Sequence, residues 1–326
     1  MKRIYMSLIF AFFLLSCLSV YADQDPKKIL RAVVKIRSII PENARTAQIL
    51  GTEREGSGVV IDSNGHVLTI GYLILEAQTI EIAGPDGKLV RAQFVAYDHR
   101  SGFGLLRSER SLDAPAMTLG RSSEIEVGDP VLVVGHGGTD SVQGARIVAR
   151  QEFAGSWEYL LEDALFTSPP FSNFGGAALI SRDSKLIGIG SLFTQIAIPG
   201  FRSVPSNMFV PIDHLKPILN DLISRGRSRG PPRPWLGLNV EEIKGHVFVQ
   251  RVSTGGPAEK AGLQQNDIIL MVDKKKVKGL ADYYRQVWAL GRAGVGVPLS
   301  VLQGVKIRDI IVQSADRDHY MGLRPR

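Results

Sequence analysis

Short runs rich in β-branched and aromatic residues, separated by turn-forming clusters, fill the chain from residue 29 to residue 223. Residues 29–36 are apolar with little alternation, the pattern of a buried strand. Gly58-Val59-Val60-Ile61 and His66-Val67-Leu68-Thr69-Ile70 flank Asp62-Ser63-Asn64-Gly65, a hairpin in which Asn-Gly supplies the positive φ. Thr79–Ala83 and residues 89–96 flank a second turn, Gly84-Pro85-Asp86-Gly87. Residues 131–135, 146–153, 159–166, 177–180 and 186–193 continue the series. Many short strands at this spacing predict a barrel or sandwich. Residues 211–224 have helical periodicity instead, with Leu215, Ile218, Leu219 and Leu222 on one face.

A composition break follows at Arg225-Gly226-Arg227-Ser228-Arg229-Gly230-Pro231-Pro232-Arg233-Pro234. Proline extends such a stretch and glycine and serine loosen it, so it reads as a solvated interdomain linker. Its four arginines could also meet anionic headgroups. The β pattern then restarts at Trp235 and runs to residue 315, interrupted by one helix over residues 280–290 with Leu280, Tyr283, Tyr284 and Val287 at i, i+3, i+4 and i+7. Asp273 to Lys278 reads as a charged, solvated hairpin.

With 326 residues the chain has room for two or three domains, and 44% hydrophobic with 22% charged residues is ordinary globular composition. The formal charge of +7 is spread along the chain and includes Lys2 and Arg3, which argues against a nucleic-acid footprint. The single cysteine, Cys17, excludes an intramolecular disulfide, and no His/Asp/Glu cluster has metal-site spacing, so neither a cofactor nor a metal is expected. Lys2-Arg3 followed by the apolar residues 4–15 reads as a secretory signal. It has two exits. Val20-Tyr21-Ala22 fits cleavage after residue 22, whereas Leu14-Leu15-Ser16-Cys17 resembles a bacterial lipobox, with the signal ending at residue 16 and a lipid on Cys17. No later run reaches the roughly 18 apolar residues of a membrane span. The expected location is the periplasm or cell envelope of a bacterium, with a lipid anchor if the second exit is used.

Thr167-Ser168-Pro169-Pro170-Phe171-Ser172-Asn173-Phe174-Gly175-Gly176-Ala177-Ala178-Leu179-Ile180 resembles the nucleophile loop of trypsin-like proteases of the HtrA/Deg kind, in which Gly-Asn-Ser-Gly-Gly-Ala-Leu surrounds the attacking serine. Gly56-Ser57-Gly58-Val59-Val60-Ile61-Asp62 and the hairpin after it resemble the first barrel of the same family. The catalytic histidine ends that hairpin in the family, but this chain reads Thr69-Ile70-Gly71-Tyr72-Leu73-Ile74, with Tyr72 at the base position. The acid motif Asp-x-x-x-Asp-Ile-Ala-Leu is matched by Asp98-His99-Arg100-Ser101-Gly102-Phe103-Gly104-Leu105, with Gly102 at the acid position. Phe174 stands where the serine would be, leaving Ser172, Asn173 and Gly175 as a remnant of the oxyanion loop. A serine attacks only when a base takes its proton and an acid fixes the base's tautomer. Tyrosine, with a pKa near ~10, is a poor base, glycine has no side chain, and a phenyl ring has no nucleophile. The alternative is an active serine endopeptidase with relocated residues, such as Ser172 paired with His136, which needs hydrogen-bond reach of about 3 Å. Ser168-Pro169-Pro170 replaces the segment that walls the family's specificity pocket, and two prolines there remove two donors and favour extended backbone. Phe171 and Phe174 are expected to fill the vacated cleft.

From Trp235 the resemblance is to a PDZ domain of the permuted bacterial type. Trp235-Leu236-Gly237-Leu238 resembles its carboxylate-binding loop, and Ser253-Thr254-Gly255-Gly256-Pro257-Ala258-Glu259-Lys260-Ala261-Gly262-Leu263 with Asn266-Asp267-Ile268-Ile269 resembles its short helix and strand. The helix carrying Tyr283, Tyr284 and Val287 would line the groove on one face and the core on the other. The resemblance thus implies a mainly β chain: a signal over residues 1–22, two six-stranded trypsin-like barrels over 23–224, a linker over 225–234, an α+β PDZ domain over 235–315 and a tail over 316–326. It implies peptide binding by strand addition at Leu236, Gly237 and Leu238. Expected partners are protein C-termini and extended segments, an active HtrA-type relative, and further copies of the chain, trimeric by analogy. Adaptor, chaperone-like binder and regulator of envelope quality control are the roles that fit.

Overall fold

A computed structural model describes residues 26–198 and 201–323. The expected signal, both of its exits and Cys17 lie outside the described residues. A helix, α1 (Pro26–Ala32), leads into β1 (Val33–Ile39). The apolar run at 29–36 therefore divides: Ile29 and Ala32 bury one helical face before the strand begins. Pro26 opens the helix, where a missing N–H has no intrahelical partner to lose. Short apolar runs do not distinguish a buried strand from a buried helix turn.

After α2 (Ala47–Leu50) come β2 (Glu53–Val60), β3 (His66–Ile70), β4 (Thr79–Ala83), β5 (Leu89–Tyr97) and β6 (Phe103–Ser108), closing with β1 into a six-stranded barrel ordered β1-β2-β3-β6-β5-β4. In the β2–β3 turn the positive φ falls on Gly65 alone. Asp62 Oδ1 shapes the rest by accepting from the Asn64 and His66 amides at 2.9 and 3.1 Å. The second barrel, ordered β10-β11-β12-β9-β8-β7, is built from β7 (Pro130–Val134), β8 (Val142–Gly155), β9 (Tyr159–Ser168), β10 (Ala178–Ile180), β11 (Leu186–Ile198) and β12 (Phe201–Pro211). Two strands have no counterpart in the sequence pattern. The first four residues of β6 are all buried, which erases alternation, and β12 carries Pro205, a residue that weakens any strand signal. The closing helix α3 (Leu219–Arg225) starts later than its periodicity predicts, after a 3-10 turn at Ile212–His214. Leu215 and Leu222 are nonetheless fully buried under the barrel.

The linker is docked rather than solvated. Arg229 Nε donates to Asp221 at 2.8 Å, Ser228 Oγ to Asp98 at 3.1 Å, and Arg100 to the Pro231 carbonyl at 3.2 Å. The Arg233 guanidinium lies 4.1 Å over the Trp288 ring. Beyond it, β13 (Leu238–Ile243), β14 (His246–Val252), β15 (Ile268–Val272), β16 (Lys275–Lys276), β17 (Gly296–Gln303) and β18 (Lys306–Gln313) form one antiparallel sheet, with β13 at its edge. Asp273 and Lys274, both at positive φ, make the turn between β15 and β16, the charged hairpin the sequence predicts. The sheet packs on α4 (Pro257–Lys260) and α5 (Leu280–Ala289), and α6 (Arg317–Tyr320) ends the described chain.

Candidate functional site

The three positions that the family would fill with a triad are gathered at the junction of the barrels. β3 ends in a 3-10 turn, Gly71–Leu73, which presents Tyr72. The Gly71 amide donates to the Gly102 carbonyl at 2.8 Å, which places the acid position beside that turn. The Tyr72 hydroxyl donates to the Ser191 carbonyl at 3.1 Å and lies 2.9 Å from where a Cβ on Gly175 would stand, one residue from Phe174. Burial pushes the Tyr72 phenol well above its ordinary 10.0, so it stays a neutral donor across the physiological range. Gly102 adopts φ +83°, a left-handed backbone that disfavours other residues.

The loop around Phe174 is held close to the first barrel by its two glycines. Gly176 has φ +73°, and a Cβ there would stand 1.9 Å from the Ser57 carbonyl oxygen. The Gly175 carbonyl accepts from Ser57 N–H at 2.8 Å, Gly176 N–H donates to Gly190 at 2.9 Å and Ala177 N–H to Phe174 at 3.0 Å. The amides of Gly176 and Ala177 are thus spent inside the fold. Ser172 and Asn173 are exposed and Phe174 is half-buried. Phe171 does not fill the cleft: it is buried in the second-barrel core, with its amide donating to Asn207 Oδ1 at 2.6 Å. The Ser168–Pro169 peptide is cis. A cavity of about 620 Å³ lies beside Tyr72, Gly102, Tyr159 and Ser191 and extends to Trp235 and Arg251 of the second domain.

Ser172 and His136 are not a pair. His136 Nδ1 lies 3.1 Å from Ser57 Oγ, its backbone N–H donates to the same oxygen at 3.0 Å, and Nε2 faces Glu55 at 3.4 Å. Nothing local in the sequence signals this Ser57–His136–Glu55 cluster, whose serine and histidine are 79 residues apart. Ser57 is fully buried, so no substrate carbonyl can approach its oxygen. His66 is held by Asp62 at 2.6 Å and His214 by Asp163 at 2.5 Å.

The amides of the Leu236-Gly237-Leu238 loop meet a carboxylate of the same chain. Leu236 N–H donates to Glu158 Oε2 at 3.0 Å, and Gly237 and Leu238 N–H to Oε1 at 2.8 and 3.0 Å. Val240 N–H donates to the Ser156 carbonyl at 2.9 Å. The Tyr284 hydroxyl donates to the Gly155 carbonyl at 2.7 Å and accepts from Glu158 N–H at 3.2 Å. Tyr283 and Val287 are buried in the PDZ core, so α5 divides between core and groove. The free groove that strand addition requires is therefore filled by the β8–β9 turn. Burial raises the Glu158 carboxyl above its ordinary range, against the three amides and Arg317, which lower it.

Two closed six-stranded barrels with a turn-and-loop site at their junction, followed by a sheet-and-helix module with a carboxylate-binding loop, define a trypsin-like peptidase fold joined to a PDZ domain. The trypsin-like peptidase domain family matches residues 56–189 and the PDZ domain family residues 234–313. The chain is 29% identical over 273 residues to a probable periplasmic serine endoprotease, DegP-like, of Pseudomonas fulva strain 12-X, covering 77% of this chain and 54% of that protein. It is 27% identical over 300 residues to the protein of that name in Pseudomonas fluorescens Pf-5, covering 86% of this chain and 59% of the relative. The chain thus spans little more than half the length of these relatives. Among solved structures, the HtrA-type protease AlgW with decapeptide superposes with TM-score 0.54 at 24% identity, over 92% of this chain and 99% of that one. The serine endoprotease from Yersinia pestis gives 0.54 at 23%, over 92% and 99%. The chain therefore carries a trypsin-like peptidase domain followed by a PDZ domain, and it is similar to HtrA/DegP-type proteins.

Proposed function

We propose that this chain is a proteolytically inert HtrA-type protein that binds peptide C-termini through its PDZ domain. The observation that carries this reading is the trio Tyr72, Gly102 and Phe174, which stands at the family's catalytic positions and offers neither a base, nor an acid, nor a nucleophile. The carboxylate held by Leu236, Gly237 and Leu238 supports the binding half. Similarity to probable periplasmic serine endoproteases supports a periplasmic or envelope setting. In that setting the protein serves as adaptor, chaperone-like binder or regulator in quality control, alongside an active HtrA-type relative and as a homo-oligomer. Residues 1–22, or 1–16 with a lipid on Cys17, act as the export signal. Residues 23–224 and 235–315 act as the two working units, joined at 225–234, with 316–326 as a tail.

Purified protein treated with a serine-directed fluorophosphonate should show no labelling and no cleavage of unfolded casein. Labelling that disappears in Ser172→Ala would overturn the inert reading. Mass spectrometry of the mature N-terminus decides between the two export signals, and an intact Met1 would remove both.

A further inference from the structure

The β8–β9 turn of the second barrel lies against the edge strand and the amide loop of the PDZ domain. β13 is the edge strand of the PDZ sheet, and its outer edge receives the Ser156 carbonyl through Val240 N–H. A peptide added as a strand makes this kind of contact. Two residues further on, the Glu158 carboxylate takes the three N–H groups of the Leu236-Gly237-Leu238 loop. Leu160 is then buried in the same apolar cluster as Leu236, Leu238 and Val287. A main-chain bond, a carboxylate and an aliphatic side chain are thus presented together to the loop and its edge strand.

A plain structural contact accounts less well for these features. A buried carboxylate is costly unless hydrogen-bonded, and Glu158 finds its donors on three consecutive amides, Leu236, Gly237 and Leu238. Glu158 is also held at φ 56°, where a non-glycine residue is uncommon, so the strain is borne by a residue whose side chain is used. Tyr284, on the groove face of α5, locks the turn from the other side through Gly155 and the Glu158 amide.

We propose that the β8–β9 turn is an internal ligand of the PDZ domain, with Glu158 keeping the Leu236-Gly237-Leu238 loop closed to free C-termini until it is displaced. The competing ligand is a peptide with a free terminal carboxylate and an aliphatic last residue, matching Glu158 and Leu160. This rests on the peptide-binding reading above and adds that the resting protein is closed.

Two variants of the full chain test it. Glu158→Gln keeps the shape and removes the charge, and Glu158→Asn tolerates the left-handed backbone but shortens the reach. Near-UV circular dichroism confirms folding of each. Amide hydrogen exchange at Leu236, Gly237 and Leu238 should quicken at least about tenfold in the variants. A fluorescein-labelled octapeptide of serines ending in Leu should bind the variants at least about tenfold more tightly than the unmodified chain, and its C-terminally amidated form should not. Unchanged exchange, or equal affinity in unmodified and variant chains, overturns the internal ligand. Quickened exchange with no binding of the carboxylate peptide by any chain upholds the internal contact and instead removes the peptide-binding reading.

Discussion

The hydroxyl of Tyr72 and the carbonyl of Ser191 meet at 3.1 Å across the junction of the two barrels, although 119 residues separate them in the chain. Ser191 falls at a register shift between β11 and β12 and is almost fully buried. Tyr72 thus serves as a structural donor between the barrels. Tyr72→Phe should leave that carbonyl without this donor and lower unfolding stability by about 1 kcal/mol. Urea titration should show a lower midpoint with an unchanged slope; an unchanged midpoint would mean water replaces the donor.

Phe174→Ser alone should give no casein cleavage and no fluorophosphonate labelling. The new hydroxyl would have Tyr72 as its nearest candidate base, and burial holds that phenol protonated. Triad members act as a unit, so one restored member recovers little. The combination Tyr72→His, Gly102→Asp and Phe174→Ser should remain weak, because it also removes the Tyr72–Ser191 bond and leaves Ser168-Pro169-Pro170 beside the loop. Robust turnover by the triple variant would show that the cleft and its oxyanion donors are intact.

Gly102→Asp by itself should destabilise the chain by roughly 1 kcal/mol, the cost of placing an L side chain in a left-handed backbone. The penalty is conformational rather than steric: a Cβ at φ +83° would lie 3.5 Å from its nearest neighbours, Ile70 and Tyr159. Thermal unfolding of the single variant measures it, and a melting temperature equal to the unmodified protein's would show that the turn relaxes.

Tyr284→Phe should cost more, about 1–3 kcal/mol, since it strips a partner from both the buried Gly155 carbonyl and the Glu158 amide. Exchange of the Glu158 amide should rise in the same variant. Retained protection would place its partner elsewhere.

Acid should weaken the native state through His99. Burial first, and then Arg317, lowers its pKa from 6.5, against Asp318, whose Oδ1 stands 2.7 Å from Nε2 in a direction unsuited to a hydrogen bond. A base held neutral in the folded chain contributes stability that is present above its unfolded pKa and lost as pH falls from 6.5 toward the folded value. The gap in melting temperature between the unmodified protein and His99→Gln should therefore shrink from pH 7.5 to pH 5.5. A gap that widens on acidification would mean that His99 is charged in the native state.

Much of this protein is written locally, and the sequence alone determined it. Alternation and turn chemistry located most of the barrel strands, and Asp273-Lys274 marked a real turn. Tyr72, Gly102 and Phe174 are singled out by resemblance to HtrA/Deg motifs, and Leu236-Gly237-Leu238 by resemblance to a PDZ loop. What failed locally failed for local reasons: α1 was hidden in a featureless apolar run, β6 in continuous burial and β12 behind Pro205. Only the tertiary structure decided which groups face one another. It gave His136 to Ser57 instead of Ser172, moved Phe171 into the core, tied down the arginine-rich linker, and delivered Glu158 to amides 78 to 80 residues away. Periodicity reports which face of an element is buried; it carries no information about the partner across the interface, because that is set by how closed barrels and an edge strand pack in space.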